Sequence, residues 1–172
     1  ITITPPSNDG VEDLYRHACY SEDGKRLVSM LTGAGTDGKC PELTPKYGTE
    51  IICDRAYDDR CNNTLGRDKL IIPNTVFAIG NFAFEYLNCN VIKLPSSLKF
   101  LTGNPVKNKF TYIESDSPYF QIKNNALLST DNIYYISNLD NEKTKVVVPD
   151  KIEIIGRNAF YSNNKLEHII FP

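Results

Sequence analysis

Short apolar runs closed by proline recur along the chain. Leu70 and Ile72 precede Pro73, Ile92 and Leu94 precede Pro95, Val146 and Val148 precede Pro149, and Ile169 and Phe171 precede Pro172. Alternation at period two predicts half-buried strands. Proline has no N–H to give to a ladder, so each strand is expected to stop there. The pattern Pro-x6-Gly-x2-Ala-Phe then follows twice, from Pro73 through Gly80 to Ala83-Phe84, and from Pro149 through Gly156 to Ala159-Phe160. Val76 and Ile79 of the first copy match Ile152 and Ile155 of the second. A fixed internal pattern of this kind predicts stacked repeats, because one such unit cannot bury its apolar face alone.

Two further copies are degenerate. From Pro95 the chain keeps Leu98 and Leu101, with Thr102-Gly103 near the Gly position and Val106 in place of Phe. An earlier copy has Lys46 for Pro, Cys53 for Gly and Tyr57 for Phe, and residues 58–68 form an insertion before the next strand. The period breaks between Glu114 and Lys145. There Tyr119–Lys123 and Ala126–Ser129 flank Asn124-Asn125, and Asn tolerates the positive φ of a tight hairpin. Thr130-Asp131-Asn132 predicts a second turn into Ile133–Ile136. The stretch His17–Val28 is related, with Cys19 opposite Leu127 and Asp23-Gly24 opposite Asp131-Asn132. Two hairpin-bearing units are therefore expected, each leading into repeats.

These residues resemble the BspA-like, or Treponema-type, leucine-rich repeats of bacterial surface proteins. The resemblance covers 43–172 well and 15–42 loosely. It implies a mainly β leucine-rich-repeat solenoid, a right-handed β-rich superhelix, here with inserted β-hairpin units. It also implies an extracellular or cell-surface location and adhesion to host proteins or other partners. Such repeats are scaffolds for different sites, so the fold alone does not name a partner. The missing Gly and Phe of the 95–106 copy put regular curvature there in question. The chain is expected to be one leucine-rich-repeat domain, 1–172. Its parts are an N-terminal hairpin-bearing or capping segment at 1–45, repeats at 46–113, a hairpin-bearing extended repeat at 114–145, and a repeat at 146–172.

Composition narrows the function classes. Of 172 residues 41% are hydrophobic and 23% charged, and the net charge is −2. That balance gives no electrostatic pull toward nucleic acid. No apolar run approaches the roughly 20 residues of a membrane span, so no membrane insertion is expected. The chain opens Ile1-Thr2-Ile3 without Met or signal peptide, and reads as a processed form or a piece of a longer protein. It closes on the apolar strand His168–Phe171 with no polar cap, so further repeats are expected to follow.

Within each proline-closed strand the middle residue should face outward. That row holds Ile71, Lys93, Val147 and Ile170, with Tyr112 in the intervening unit. Four of the five are apolar or aromatic, and exposed together they would form a partner-binding face. β-branched residues also suit strands for their own sake, and the hairpins could cover the row. The expected partner is a protein, with host extracellular matrix or surface proteins as candidates. The alternative is a carbohydrate- or envelope-associated scaffold that spaces other domains.

Chemistry finds little footing. Gly33-Ala34-Gly35-Thr36-Asp37-Gly38 fits G-x-G-x-x-G, but Pro41 and Pro45 would disrupt the helix a dinucleotide site needs. It reads as a loop. The five cysteines have no C-x2-C spacing, and His17 and His168 lie near opposite ends, so no metal or other cofactor is expected. Cys53, Cys89 and Cys19 align with core positions, which leaves Cys40 and Cys61 as the candidates for an intrachain disulfide. His17 with Cys19 or Cys40 is the one Cys–His pairing within reach in a solenoid, and Cys19 should be buried. Asn62-Asn63-Thr64 is a glycosylation sequon that matters only in a eukaryotic secretory pathway. An enzyme is not expected. Phe84 and Phe160 should fill the middle of the solenoid. Phe160→Ala should then lower the melting temperature far more than Tyr161→Ala, and equal midpoints would refute this register.

Overall fold

The computed structural model describes residues 18–30, 44–57, 67–87, 89–106 and 111–172. The chain is a β-solenoid of about 5 turns. Among the described residues there are strands and turns but no helix. In chain order the strands are β1 (Ala18–Tyr20), β2 (Arg26–Met30), β3 (Ile51–Ile52), β4 (Arg67–Ile71), β5 (Ala78–Ile79), β6 (Cys89–Leu94) and β7 (Phe100–Leu101). There follow β8 (Tyr112–Ser115), β9 (Phe120–Lys123), β10 (Ala126–Ser129), β11 (Tyr134–Asn138), β12 (Lys145–Val147), β13 (Ile154–Ile155) and β14 (His168–Ile170). On one side of the solenoid β2, β3, β5 and β7 pair in parallel. On another, β4, β6 and β8 do the same, and β12 pairs with β14. As expected, β4, β6 and β12 end just before Pro73, Pro95 and Pro149.

Parallel stacking places each repeat position beside its equivalent in the next turn. Ile52, Ile79 and Leu101 are in register, and all three are buried. The aromatic position holds Tyr57 and then Phe84, whose ring centroids are 5.2 Å apart at the centre of the main core. Val106 takes this place in the third copy and is buried in the same core. The 95–106 copy thus stays in the ladder despite its substitutions.

The corner of each turn follows from the Gly position. At Gly80 a Cβ would stand 2.3 Å from the Asp54 backbone nitrogen and 2.6 Å from the Cys53 carbonyl carbon, so only glycine fits. Two residues later the backbone enters the left-handed region, at Arg55 (φ 57°), Phe82 (φ 54°) and Asn158 (φ 61°). Non-glycine residues rarely adopt it. Here the corner is held by bonds to the next turn. The Arg55 N–H donates to the Asn81 carbonyl at 3.2 Å, the Phe82 N–H to that of Asn104 at 2.6 Å, and the Tyr57 N–H to that of Ala83 at 2.8 Å.

The two hairpin-bearing units match closely. Ala18 pairs with Met30, Cys19 with Ser29 and Tyr20 with Leu27, with an irregularity between Cys19 and Tyr20. Ala126 pairs with Asn138, Leu127 with Ser137 and Leu128 with Tyr135, with the irregularity in the equivalent place. The turns share their chemistry. Asp23 Oδ1 accepts from the Ser21 hydroxyl and the Lys25 N–H, and Asp131 Oδ1 from the Ser129 hydroxyl and the Ile133 N–H. Asn124 and Asn125 both have positive φ between β9 and β10, as a tight hairpin requires.

The second hairpin is a wall inside the molecule. Leu127 and Ile136 face the main core, whereas Ala126, Leu128 and Tyr135 face a second core with Val146, Val148, Ile152 and Ala159. The hairpin therefore does not cover the outer row of strands. Beyond the wall the corner of the 149–160 copy meets the earlier turns again. The Asn104 N–H donates to the Arg157 carbonyl, its side-chain amide to the Asn158 carbonyl, and the Asn158 amide to Asn81 Oδ1, each at 3.2 Å.

Several expectations shift. Phe160 is half-buried, stacked on Tyr135 at 5.3 Å, and Phe171 is exposed rather than turned inward. Cys89 is buried, but Cys53 and Cys19 are only half-buried: Cys53 sits at the corner and Cys19 on the edge strand β1. Cys40, Cys61, His17, the glycine-rich loop and the sequon lie outside the described residues.

Two tests follow from these contacts. Gly80→Ala should cost at least about 1–3 kcal/mol, since backbone must move. Gly156→Ala should cost less, because its nearest contacts are 3.1 Å away and include the Tyr134 ring. Chemical denaturation of both variants would compare them. Separately, the Ser21 hydroxyl and Lys25 N–H hold the Asp23 carboxyl below the usual range, and the Ser129 hydroxyl and Ile133 N–H do the same for Asp131. A lowered folded pKa stabilises above the unfolded value and is lost as pH falls through the folded one. Stability should therefore drop below about pH 4. In Asp23→Ala/Asp131→Ala that part of the drop should vanish from melting temperatures taken across the acid range.

Candidate functional site

The outward row is set by strand pairing. Ile71 lies in register with Lys93, and Lys93 with Glu114. Their neighbours Leu70, Ile72, Ile92, Leu94 and Ile113 are buried, so the alternation inferred from the sequence is real. Ile71 is 59% exposed, Val147 62% and Ile170 42%, and Val147 is paired with Ile170.

Tyr112 is 75% exposed but stands two residues away from the expected row, in register with Val91. Glu114 takes the place beside Lys93. The slip has a sequence cause. Leu94 pairs with Ser115, so Asp116 occupies the position where the other strands carry proline. Without that anchor the row could not be counted. The structure thus gathers Ile71, Lys93 and Tyr112 on the β4–β6–β8 sheet, and Val147 and Ile170 on the separate β12–β14 pair.

Charge crosses the first of these sheets. Lys69 Nζ lies 2.6 Å from Glu114 Oε2, and Lys93 Nζ 2.6 Å from Asp116 Oδ2. The Asp116 carboxylate, by hydrogen bond and by charge, holds the Lys93 ammonium above its ordinary range. Such exposed pairs add little stability, on the order of 0–1 kcal/mol each. They do fix the long side chains beside Ile71, leaving an apolar centre with an ionic border. Neither ion pair could be found in the sequence, because the partners are more than 20 residues apart.

A second strip escaped notice. Ile51, Ala78 and Phe100 are in register on β3, β5 and β7. Phe100 is exposed, and Phe77 meets it edge-on at 6.4 Å. The only hint was the apolar Phe77 and Phe100 among short turns. Among the described residues no group of three or more His, Cys, Asp or Glu is arranged to hold a metal ion.

Residues 50–172 match the model of the BspA type leucine rich repeat region, in 6 copies. No curated protein matches the chain. Among solved structures it is similar to the pneumococcal vaccine antigen PcpA, with a TM-score of 0.52 and 18% identity over 72% of this chain and 37% of that one. It is also similar to a leucine rich cell surface protein from Faecalibacterium prausnitzii A2-165, with a TM-score of 0.49 and 18% identity over 74% of this chain and 40% of that one. The chain spans less than half the length of either. At this identity the first likeness shows a shared fold and no more.

Proposed function

Because the chain belongs to the BspA-type leucine-rich repeat family, we propose that it is a non-enzymatic binding module that presents its outer sheets to protein partners at a cell surface or outside the cell. One observation carries this reading. Ile71 and Val147 face water from parallel ladders, each between two buried neighbours, and Ile170 faces water beside the half-buried Ile169. Such side chains give about 25 cal/mol per Å² when a partner covers them. The ionic border of Lys69–Glu114 and Lys93–Asp116 supplies orientation, as the polar rim of an interface does. Host extracellular matrix or surface proteins are the partners to try first.

The test uses immobilised matrix proteins and the variant Ile71→Asp/Val147→Asp. Both sites are exposed, so the melting temperature should fall by no more than about 1 kcal/mol of stability implies. Affinity should fall at least about tenfold. Unchanged binding by the folded variant would dismiss this face. If the unaltered chain binds no protein, the alternative of a carbohydrate- or envelope-associated spacer gains.

A further inference from the structure

Where the second hairpin crosses the solenoid, the outer sheet is interrupted and a cleft opens. β8 ends one ladder and β12 begins another. Between β8 and the 139–142 segment leading into β12 lies a cleft of about 420 Å³. The exposed Tyr112 stands at it, with Asn125 and Asp140 across. Asp140 is firmly held. Its Oδ2 accepts from the Asn125 amide at 3.2 Å, its Oδ1 from the Glu142 N–H at 3.1 Å, and Lys143 lies 3.5 Å away. Burial works against its charge, but the Asn125 amide, the Glu142 N–H and Lys143 outweigh it and keep the carboxyl below the ordinary range.

A polar recess of about 10 Å³ adjoins this cleft, sharing Thr111, Leu139 and Asn141 with it. Ser137 lines the recess. Its Oγ is fully buried and finds no hydrogen-bond partner among the described residues. A buried hydroxyl left unmet is destabilising, so a ligand group that reaches it gains a hydrogen bond. The recess is the size of roughly one water or one hydroxyl group. Sequence-distant groups thus converge here: an amphipathic ring, a fixed carboxylate, amides, and a hydroxyl lacking a partner. A few placed polar groups beside an apolar wall are what a small polar ligand needs.

We propose that this cleft binds a neutral saccharide, with one sugar hydroxyl entering the recess toward Ser137 and Asn141 and the C–H face of a ring lying on Tyr112. A sugar presents both features, a ring of hydroxyls and an apolar face, at the scale of the cleft. The described residues lining the cleft include no Lys or Arg, and Asp140 and Glu142 are ion-paired with Lys143 and Lys165, so no excess positive charge draws uronic, sialylated or sulfated sugars. The cleft shares only Tyr112 with the protein-binding face, so Ser137 and Asn141 variants report on it without touching Ile71 or Val147.

The full chain would be applied to an array of neutral oligosaccharides alongside sialylated and sulfated ones, and the strongest neutral binder titrated by calorimetry. Neutral sugars should bind and acidic ones should not. Tyr112→Ala should weaken binding about tenfold, a loss of about 1.4 kcal/mol. Ser137→Ala should weaken binding while leaving the melting temperature unchanged or raised, because it removes an unmet polar group. Should Ser137→Ala fail to fold, the exposed Tyr112→Ala decides. Absence of neutral-sugar binding, preference for acidic sugars, or unchanged affinity in Tyr112→Ala and Ser137→Ala would each overturn the proposal.

Discussion

Successive turns of this solenoid are held at the spacing of paired parallel strands, about 4.8 Å. Every repeat position therefore lies almost on top of its equivalent, and its size is limited by what lies beneath. At the corner the limit is absolute: Gly80 rests on the Cys53–Asp54 backbone. At the centre the limit reverses, because a turn wide enough to carry two sheets must be filled. Tyr57 and Phe84 fill it, ring against ring and tilted by 45°. The small corner and the large centre are two consequences of one spacing. The left-handed residue between them, Arg55 or Phe82, is tolerated because its N–H is paired to the next turn.

The second hairpin interrupts this regularity without breaking the stack. Its strands are buried on both sides, which is why β10 opens on Ala126-Leu127-Leu128 and β11 on Tyr134-Tyr135-Ile136 without polar alternation. Leu127 and Leu128 point into different cores from adjacent positions. The cost of inserting the wall falls on the outer sheet, which splits into β4–β6–β8 and β12–β14. The corner bonds of Asn104 and Asn158 carry the stack past the split. A molecule built as an unbroken ladder would have had one flat face. This one has two exposed sheets and a polar cleft between them.

The repeat itself was legible wherever proline, glycine and the aromatic kept their spacing, and even where Val106 and Thr102 had replaced them. The hairpins were legible from Asn124-Asn125 and from the likeness of Asp23-Gly24 to Asp131-Asn132. The site was only half legible. Ile71, Val147 and Ile170 could be found by alternation beside a proline. Tyr112 was misplaced by two residues because Asp116 stands where the proline anchor would be. Lys69–Glu114 and Lys93–Asp116 link different turns, and no local pattern encodes which long side chain reaches which carboxylate.

The sequence by itself determined most of the inside positions, where the proline-closed strands stop and how the turns repeat, because these follow from local spacing under a fixed ladder distance. Tertiary structure decided what lies side by side across turns. It joined Ile71 to Lys93 and Glu114, placed Leu127 and Leu128 in separate cores, and brought Ser137, Asn141 and Tyr112 to one cleft. Register across an irregular turn is a property of the packed stack, set by how far the hairpin displaces the strands on either side of it, and no window of sequence carries that displacement.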